Sequence, residues 1–214
     1  MNTFTSAEYL AVLQACRKLP PPRGNYHDGD FVSNMIQTVL DYQLYSTTVT
    51  RAYAHFERHH WDRLRTLDQL LAFLAQFPDT QQGNVVAAQA LWGYKYGKRL
   101  WQLRRLVEYF GAMGVTDQNT LKRWARSSEF ERDFEGKVKG LAFAVYKWLV
   151  MRVGVETVKP DVHIKTFLKR AAGREFEDQE AVSVLERVAS ECGRKAHELD
   201  WAIWEHQKSK QGSH

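Results

Sequence analysis

The chain has 214 residues, which is enough for one well-packed core or for two smaller lobes. Its 30 Lys and Arg residues outnumber 25 Asp and Glu residues, so the surface should attract a polyanion weakly. Two cysteines, Cys16 and Cys192, are too few for a disulfide framework, a four-cysteine zinc site or a four-cysteine iron–sulfur cluster. No signal-peptide pattern and no apolar run of about 20 residues is present. These features predict a cytoplasmic protein without a membrane span.

Helical periodicity dominates the chain. Apolar residues recur every three or four positions, which is the period of amphipathic helices and not of strands. The stretches with this pattern are Tyr9–Ala15, Phe31–Phe56, Leu67–Phe77, Val85–Phe110 and Leu141–Val153. The segments LPPPRGNYHDGD, FPDTQQGN and GAMGVTDQNT are rich in helix breakers and separate them. The sequence therefore predicts an all-α fold.

The stretch LWGYKYGKRLWQLRR in the middle of the chain is basic and aromatic, with no acidic residue. Cations can hold phosphates and aromatic rings can stack on bases, as a nucleic-acid surface requires. The alternative is a solvated basic helix face whose aromatic side chains belong to the core. The basic residues are Lys95, Lys98, Arg99, Arg104 and Arg105.

A second stretch, EGKVKGLAFAVYKWLVMRVG, begins with two lysines among glycines and continues as an apolar helix. A glycine-containing turn at a helix N-terminus can direct backbone N–H groups towards a phosphate, and Lys137 and Lys139 add charge. The alternative is an ordinary buried helix with a basic first turn.

The segment ETVKPDVHIKTFLKRAAG contains one carboxylate, Asp161, directly after a proline and before a helical pattern. An Asp at this position is typical of a helix N-cap. Capping and catalysis can coexist at one Asp.

Together these segments resemble the helix-hairpin-helix DNA glycosylase superfamily, which includes endonuclease III-like and alkyladenine-excising base-repair enzymes. VKPDVHIKTFL resembles the segment with the catalytic Asp, which puts Asp161 at that position. KVKGLAFAVYKWL falls where the family hairpin lies, with Gly140 matching its second glycine. VLDYQLYSTTVTRAYAHF resembles the early helix-turn-helix whose glutamine fills the space of the flipped nucleotide, here Gln43. GYKYGKR resembles the short turn whose side chain wedges into the base stack, here Tyr94.

The resemblance implies an all-α, two-lobed fold with a helix-hairpin-helix motif and a DNA-binding cleft between the lobes. One lobe is expected from residues 31–150, and the other from residues 1–30 together with residues 155–214, which carry Asp161. The residues expected to contact the flipped base are Tyr42, Tyr45 and Trp148. Those expected to hold DNA phosphates are Lys137, Lys139, Gly140, Lys95 and Lys98.

The implied activity is hydrolysis of the N-glycosidic bond of a damaged, modified or mismatched base. Breaking this bond builds positive charge on the sugar, which the Asp161 carboxylate can stabilise. Bifunctional relatives have a Schiff-base lysine two residues after the second hairpin glycine. Here that position is Ala142, or Phe143 if counted back from Asp161, which predicts a monofunctional enzyme.

The expected partner is double-stranded DNA with a damaged or modified base, bound by a monomer without cofactor or metal, in the nucleoid if the source is prokaryotic. His55 and His59 are one helical turn apart, but no further ligand completes a metal site. Two other functions are left open. One is a non-catalytic DNA-structure binder on the same scaffold, and the other is an all-α protein with no nucleic-acid role.

Overall fold

The computed structural model describes residues 4–24 and 29–211. Within them all regular secondary structure is helical, which confirms the all-α prediction. Part of the predicted loop LPPPRGNYHDGD, residues 25–28, lies outside the described residues, as do the two ends of the chain. The helices are α1 (Ser6–Arg17), α2 (Phe31–Leu40), α3 (Ser46–His60), α4 (Leu67–Ala75), α5 (Gln81–Trp92), α6 (Gly97–Ala112), α7 (Gln118–Ser127), α8 (Phe130–Asp133), α9 (Phe143–Arg152), α10 (Val162–Ala172), α11 (Asp178–Glu191) and α12 (Ala196–Gln211).

Short polar side chains set the starts of half of these helices. Each accepts a hydrogen bond from a backbone N–H of the first turn, which would otherwise have no partner. The capping residues are Thr5, Asp30, Thr66, Thr80, Asp117 and Asp161. Two helices end at a glycine in the left-handed conformation, Gly93 after α5 and Gly173 after α10.

Two of the predicted helical stretches are interrupted in the structure. Phe31–Phe56 is broken between α2 and α3, where Gln43 has a φ of 55°. Val85–Phe110 is broken between α5 and α6, where Gly93 has a φ of 77°. Periodicity missed both turns because they are short and are flanked by amphipathic helices on each side.

The chain divides into two compact units. One unit is Asp28–Leu149, and the other combines Met1–His27 with Val150–His214. The boundary at residues 149 and 150 falls inside α9. The first unit therefore contains the segment predicted to form the hairpin and both interrupted stretches, and the second contains Asp161.

The unit Asp28–Leu149 is organised around α2 and α6. Nine of the ten residues of α2 are buried, so this helix is surrounded by others. Helices α5 and α6 pack closely at Gly97, where an added Cβ would lie 2.8 Å from the Cγ2 atom of Val85. A larger side chain at Gly97 would therefore push α6 away from α5.

The other unit packs α1, α10, α11 and α12 against one another. Arg174 links three of its segments: the guanidinium donates to Glu8 at 2.6 Å and to Glu180 at 2.6 Å and covers the ring of Phe176. The hydrogen bond from Arg174, followed by that from the backbone N–H of Thr5, lowers the pKa of Glu8 to about 2. None of the helices in the described parts of the chain has the length and apolar character needed to span a membrane.

Candidate nucleic-acid interface and catalytic loop

Gln43 lies in the exposed turn between α2 and α3. Among the described residues, Gln43 is the one non-glycine residue with a left-handed φ, which is 55°. This conformation costs a residue with a Cβ about 1–3 kcal/mol, and such strain is concentrated at functional positions. Tyr45, two residues further on, is 85% exposed and occupies the N-cap position of α3, although its side chain makes no capping hydrogen bond. The turn thus presents an amide and an aromatic ring to solvent.

The turn between α5 and α6 holds Tyr94, the predicted wedge. The ring of Tyr94 stacks on that of Tyr96 with 5.6 Å between centroids, and both rings are partly exposed. The indole of buried Trp92 donates to the carbonyl oxygen of Tyr94 at 3.1 Å. At Gly93 an added Cβ would lie 3.0 Å from Nδ1 of His55, so α3 supports the same turn. The turn has a fixed backbone and partly exposed tyrosines.

The predicted hairpin occupies the residues between α8 and α9. Lys137, Lys139 and Gly140 are exposed, and Val138 between the two lysines is buried. In the described part of the chain, no group accepts a hydrogen bond from the backbone N–H of Lys139 or Gly140. Gly140 has a φ of 85°. Two exposed lysines and two available N–H groups form a surface suited to an anion.

One buried side chain, Gln102 of α6, connects these segments. Its Nε2 atom donates to the carbonyl oxygen of Lys139 at 3.1 Å, and its Oε1 atom accepts from the Tyr42 hydroxyl at 2.5 Å. Arg99 donates to the carbonyl oxygen of Tyr42 at 2.6 Å, and its guanidinium lies 3.5 Å from the centre of the Tyr42 ring. A Cβ at Gly140 would meet the same Nε2 atom at 2.7 Å. The hairpin and the turn before Gln43 are therefore fixed to one helix.

The structure corrects part of the prediction for the basic stretch. Arg104 is buried and donates to Asn84 and to the carbonyl oxygen of Phe77, both at 2.8 Å. Arg105 is paired with Asp79. Burial lowers the pKa of Arg99 to about 10, which leaves it charged at neutral pH. These three arginines hold the fold together, because each is engaged by neighbouring helices or turns.

Lys95 and Lys98 are the cations of that stretch that remain exposed. Neither forms a salt bridge within the described residues. The sequence alone does not distinguish these two exposed lysines from the three arginines that bind neighbouring segments.

Asp161 begins α10 in the other unit. Its Oδ1 atom accepts the backbone N–H groups of His163 and Ile164, at 2.8 and 3.1 Å, so the predicted capping role is present. Its Oδ2 atom accepts no hydrogen bond from the described residues. The residue is partly exposed, and the side chain of Val162 beside it is 70% exposed. One carboxylate oxygen is thus occupied by capping while the other is available.

The loop before Asp161 is buried and is held by carboxylates. The Thr157 hydroxyl donates to Glu186 of α11 at 2.6 Å, and the Lys159 N–H donates to Oδ2 of Asp200 of α12 at 2.8 Å. The backbone N–H of Asp161 donates to the carbonyl oxygen of Lys159 at 2.7 Å. Hydrogen bonds to residues before and after Asp161 in the chain therefore fix its position.

Sequence reasoning missed both Gln102 and Asp200. Each is a polar residue at a position where the helical period calls for an apolar one: Gln102 is 0% exposed and Asp200 is 4% exposed. A polar residue in an apolar helix stripe is the signal that would have identified them, because a buried polar group needs a partner.

Trp148, predicted to contact the base, is 6% exposed and belongs to the core. In this structure it has no broad ring face on which a base could stack. Tyr42 is partly buried under Arg99, whereas Tyr45 is exposed. Of the three predicted aromatic residues, Tyr45 is the one with a free ring surface.

His55 and His59 are adjacent on α3, with 4.4 Å between ring centroids. His60 next to them binds the carbonyl oxygen of Ala90 at 2.8 Å through Nε2, and burial is the largest cause that lowers its pKa. Within residues 4–24 and 29–211, no three His, Cys, Asp or Glu side chains are grouped so that they could hold a metal ion.

A family model described as a domain of unknown function, DUF8548, matches residues 103–208. The matched region contains the hairpin and the Asp161 loop but begins after Gln43 and Tyr94. Searches of curated proteins and of solved structures find no match to this chain.

Proposed function

We propose that this protein is a monofunctional DNA N-glycosylase with a helix-hairpin-helix DNA-binding fold, acting on a damaged, modified or mismatched base. The observation that carries the proposal is the convergence at Gln102. Three segments to which the family resemblance assigns DNA contacts meet at this side chain or at its direct partners: the Gln43 turn, the start of α6 after Tyr94 and the predicted hairpin.

In the proposed complex, the hairpin N–H groups with Lys137 and Lys139 hold backbone phosphates, and Lys95 and Lys98 add charge. Gln43 fills the space left by the flipped nucleotide and Tyr94 wedges into the base stack. Flipping a base costs a few kcal/mol, which contacts of this kind offset. The strained φ of Gln43 supports a functional role for this turn, because such strain is concentrated at functional positions.

In the proposed reaction, the bond between the sugar C1′ and the base nitrogen breaks, and its electron pair leaves with the base. Positive charge develops on the sugar ring, and the available Oδ2 of Asp161 stabilises it. Water then adds to C1′ and releases a proton to solvent, and the departed base takes up a proton from solvent, so one water is consumed. Because the helix N-terminus favours a carboxylate, electrostatic stabilisation is the principal role of Asp161.

The enzyme is proposed to be monofunctional because Ala142 and Phe143 stand where bifunctional relatives have a lysine. The sequence has no lysine between Gly140 and Tyr146 that could form a Schiff base. Base release should therefore leave an intact strand with an abasic site.

A panel of duplexes tests the proposal. It contains alkylated purines, deaminated bases, oxidised purines and bulky modified pyrimidines, each incubated with the wild-type protein. Released bases are identified by mass spectrometry, and strands are analysed with and without alkali. The expected result is release of at least one base, with strand breaks only after alkali.

Two outcomes would overturn parts of the proposal. Strand cleavage without alkali, or trapping on DNA by borohydride, would refute the monofunctional mechanism. No base release from the whole panel would refute the enzyme. Duplex affinity at low salt would then separate the two remaining functions, since a DNA-structure binder retains affinity and a protein without a nucleic-acid role does not.

A further inference from the structure

We infer that Asp200 is the positioning residue for the proposed catalytic carboxylate, Asp161. The inference rests on the proposed function for its kinetic consequence, but its structural part can be tested without DNA.

A relay of two hydrogen bonds, one on each side of the Lys159 Cα atom, joins the two aspartates. Oδ2 of Asp200 accepts the N–H of Lys159 at 2.8 Å, and the carbonyl oxygen of Lys159 accepts the N–H of Asp161 at 2.7 Å. Oδ1 of Asp161 then accepts the N–H groups at the start of α10. The backbone and side chain of Asp161 are therefore fixed together, which leaves Oδ2 in one place.

The environment of Asp200 makes this role hard to replace. Its side chain is 4% exposed, and α12, which carries it, packs against α10, which Asp161 caps. A buried carboxylate is costly unless hydrogen bonds satisfy it. An apolar residue at this position of α12 would satisfy the helical pattern without that cost. The backbone N–H of Lys159 explains why this position carries a hydrogen-bond acceptor.

Thr157, Val158 and Pro160 are buried in the same loop, and Glu186 accepts the Thr157 hydroxyl at 2.6 Å. Packing therefore fixes the course of the loop, while Asp200 sets the orientation of one peptide two residues before Asp161. A displacement of about 1 Å at a reacting group can cost on the order of a hundredfold in rate. Loss of Asp200 should thus affect chemistry more than it affects binding.

Three variants separate positioning from general support of the fold. Asp200→Ala removes the acceptor, and Asp200→Asn removes the charge but keeps an oxygen that can accept from Lys159. Gln207→Ala is the matched control: Gln207 is a buried polar residue of the same helix, 4% exposed, and accepts from Arg170 instead of from the loop.

The measurements are amide hydrogen exchange at Lys159 and Asp161 in the full chain and the single-turnover rate of base release from the most active duplex of the panel. We expect Asp200→Ala to accelerate exchange at both amides by about tenfold or more and to slow base release by about 10- to 100-fold. Duplex affinity should be unchanged. Asp200→Asn should restore both properties, and Gln207→Ala should alter neither.

Unchanged exchange at Lys159 and Asp161 in Asp200→Ala would overturn the inference, whatever the activity. Faster exchange with an unchanged rate of base release would also overturn it, because the relay would then have no bearing on chemistry. If the wild-type protein releases no base, the proposed enzyme fails, and the exchange data alone decide whether Asp200 holds the Asp161 loop.

Discussion

Two regions of this protein are fixed by partly buried hydrogen bonds, but the anchoring groups differ in charge. In the unit Asp28–Leu149, the hairpin and the Gln43 turn are held by neutral Gln102 and Tyr42 and by the cation Arg99. In the other unit, the Asp161 loop is held by the carboxylates Glu186 and Asp200.

The difference agrees with what each region faces in the proposed complex. A carboxylate beneath a phosphate-binding hairpin would repel the ligand, whereas negative charge near a developing sugar cation stabilises it. The anchoring groups of the first region therefore avoid negative charge, whereas the second region tolerates it. The comparison also predicts that the two regions can be damaged separately.

The largest effect on stability is expected at the hairpin. Gly140→Ala imposes a left-handed φ on a residue with a Cβ and pushes that Cβ against Gln102, so it should lower the free energy of unfolding by about 2–3 kcal/mol. Gly136→Ala is the control, because Gly136 has a φ of 71° but no atom within 4 Å of an added Cβ. It should cost about 1–2 kcal/mol. Equal losses for both in urea unfolding would show that the Gln102 contact is unimportant.

A smaller effect is expected from Tyr42→Phe. The change removes the hydroxyl that donates to Gln102 and leaves a buried acceptor without this partner, at a cost of about 1–2 kcal/mol. Tyr45→Phe, at the exposed end of the same turn, should leave stability unchanged. Amide exchange at Lys159 should stay at the parent rate in both variants. Faster exchange there would mean that the two regions are not independent.

The smallest effect is a pH dependence confined to the first region. Burial lowers the pKa of His60 below its ordinary 6.5, so the unfolded chain binds this proton at a higher pH than the folded protein does. His60 should therefore reduce stability as pH falls below 6.5, until the folded imidazole also becomes protonated. His60→Gln, which keeps a donor for the Ala90 carbonyl, should flatten this part of the stability profile. If the free energy of unfolding of His60→Gln depends on pH between 7 and 5 as steeply as that of the parent, His60 is not the source of the pH dependence.

The sequence predicted much of the local structure. Periodicity predicted the all-α class, and Asp161 was recognised as a cap because Pro160 and an amphipathic run flank it. The positions of the turns at Gln43 and Tyr94 came from the resemblance, since periodicity joined the helices on either side.

The sequence did not predict which residues form hydrogen bonds with residues far away in the chain. Gln102 acts on residues 60 positions before it and 37 after it, and Asp200 on a residue 41 positions before it. Such pairs depend on how helices pack, which local patterns do not specify. The same reason explains why Arg99 and Arg104 resembled surface cations and why Trp148 resembled a pocket residue.

The most direct test of the central claim compares wild type with Asp161→Asn on the duplex from which the wild type releases base fastest. Asparagine is a good N-cap, so the variant should fold and bind the duplex like the parent. Loss of the charge should slow single-turnover base release by about 10²–10³-fold, while Asp178→Asn, which removes the carboxylate paired with Lys165 of the same helix, should not. Base release by Asp161→Asn at the parent rate would show that Asp161 is only a helix cap.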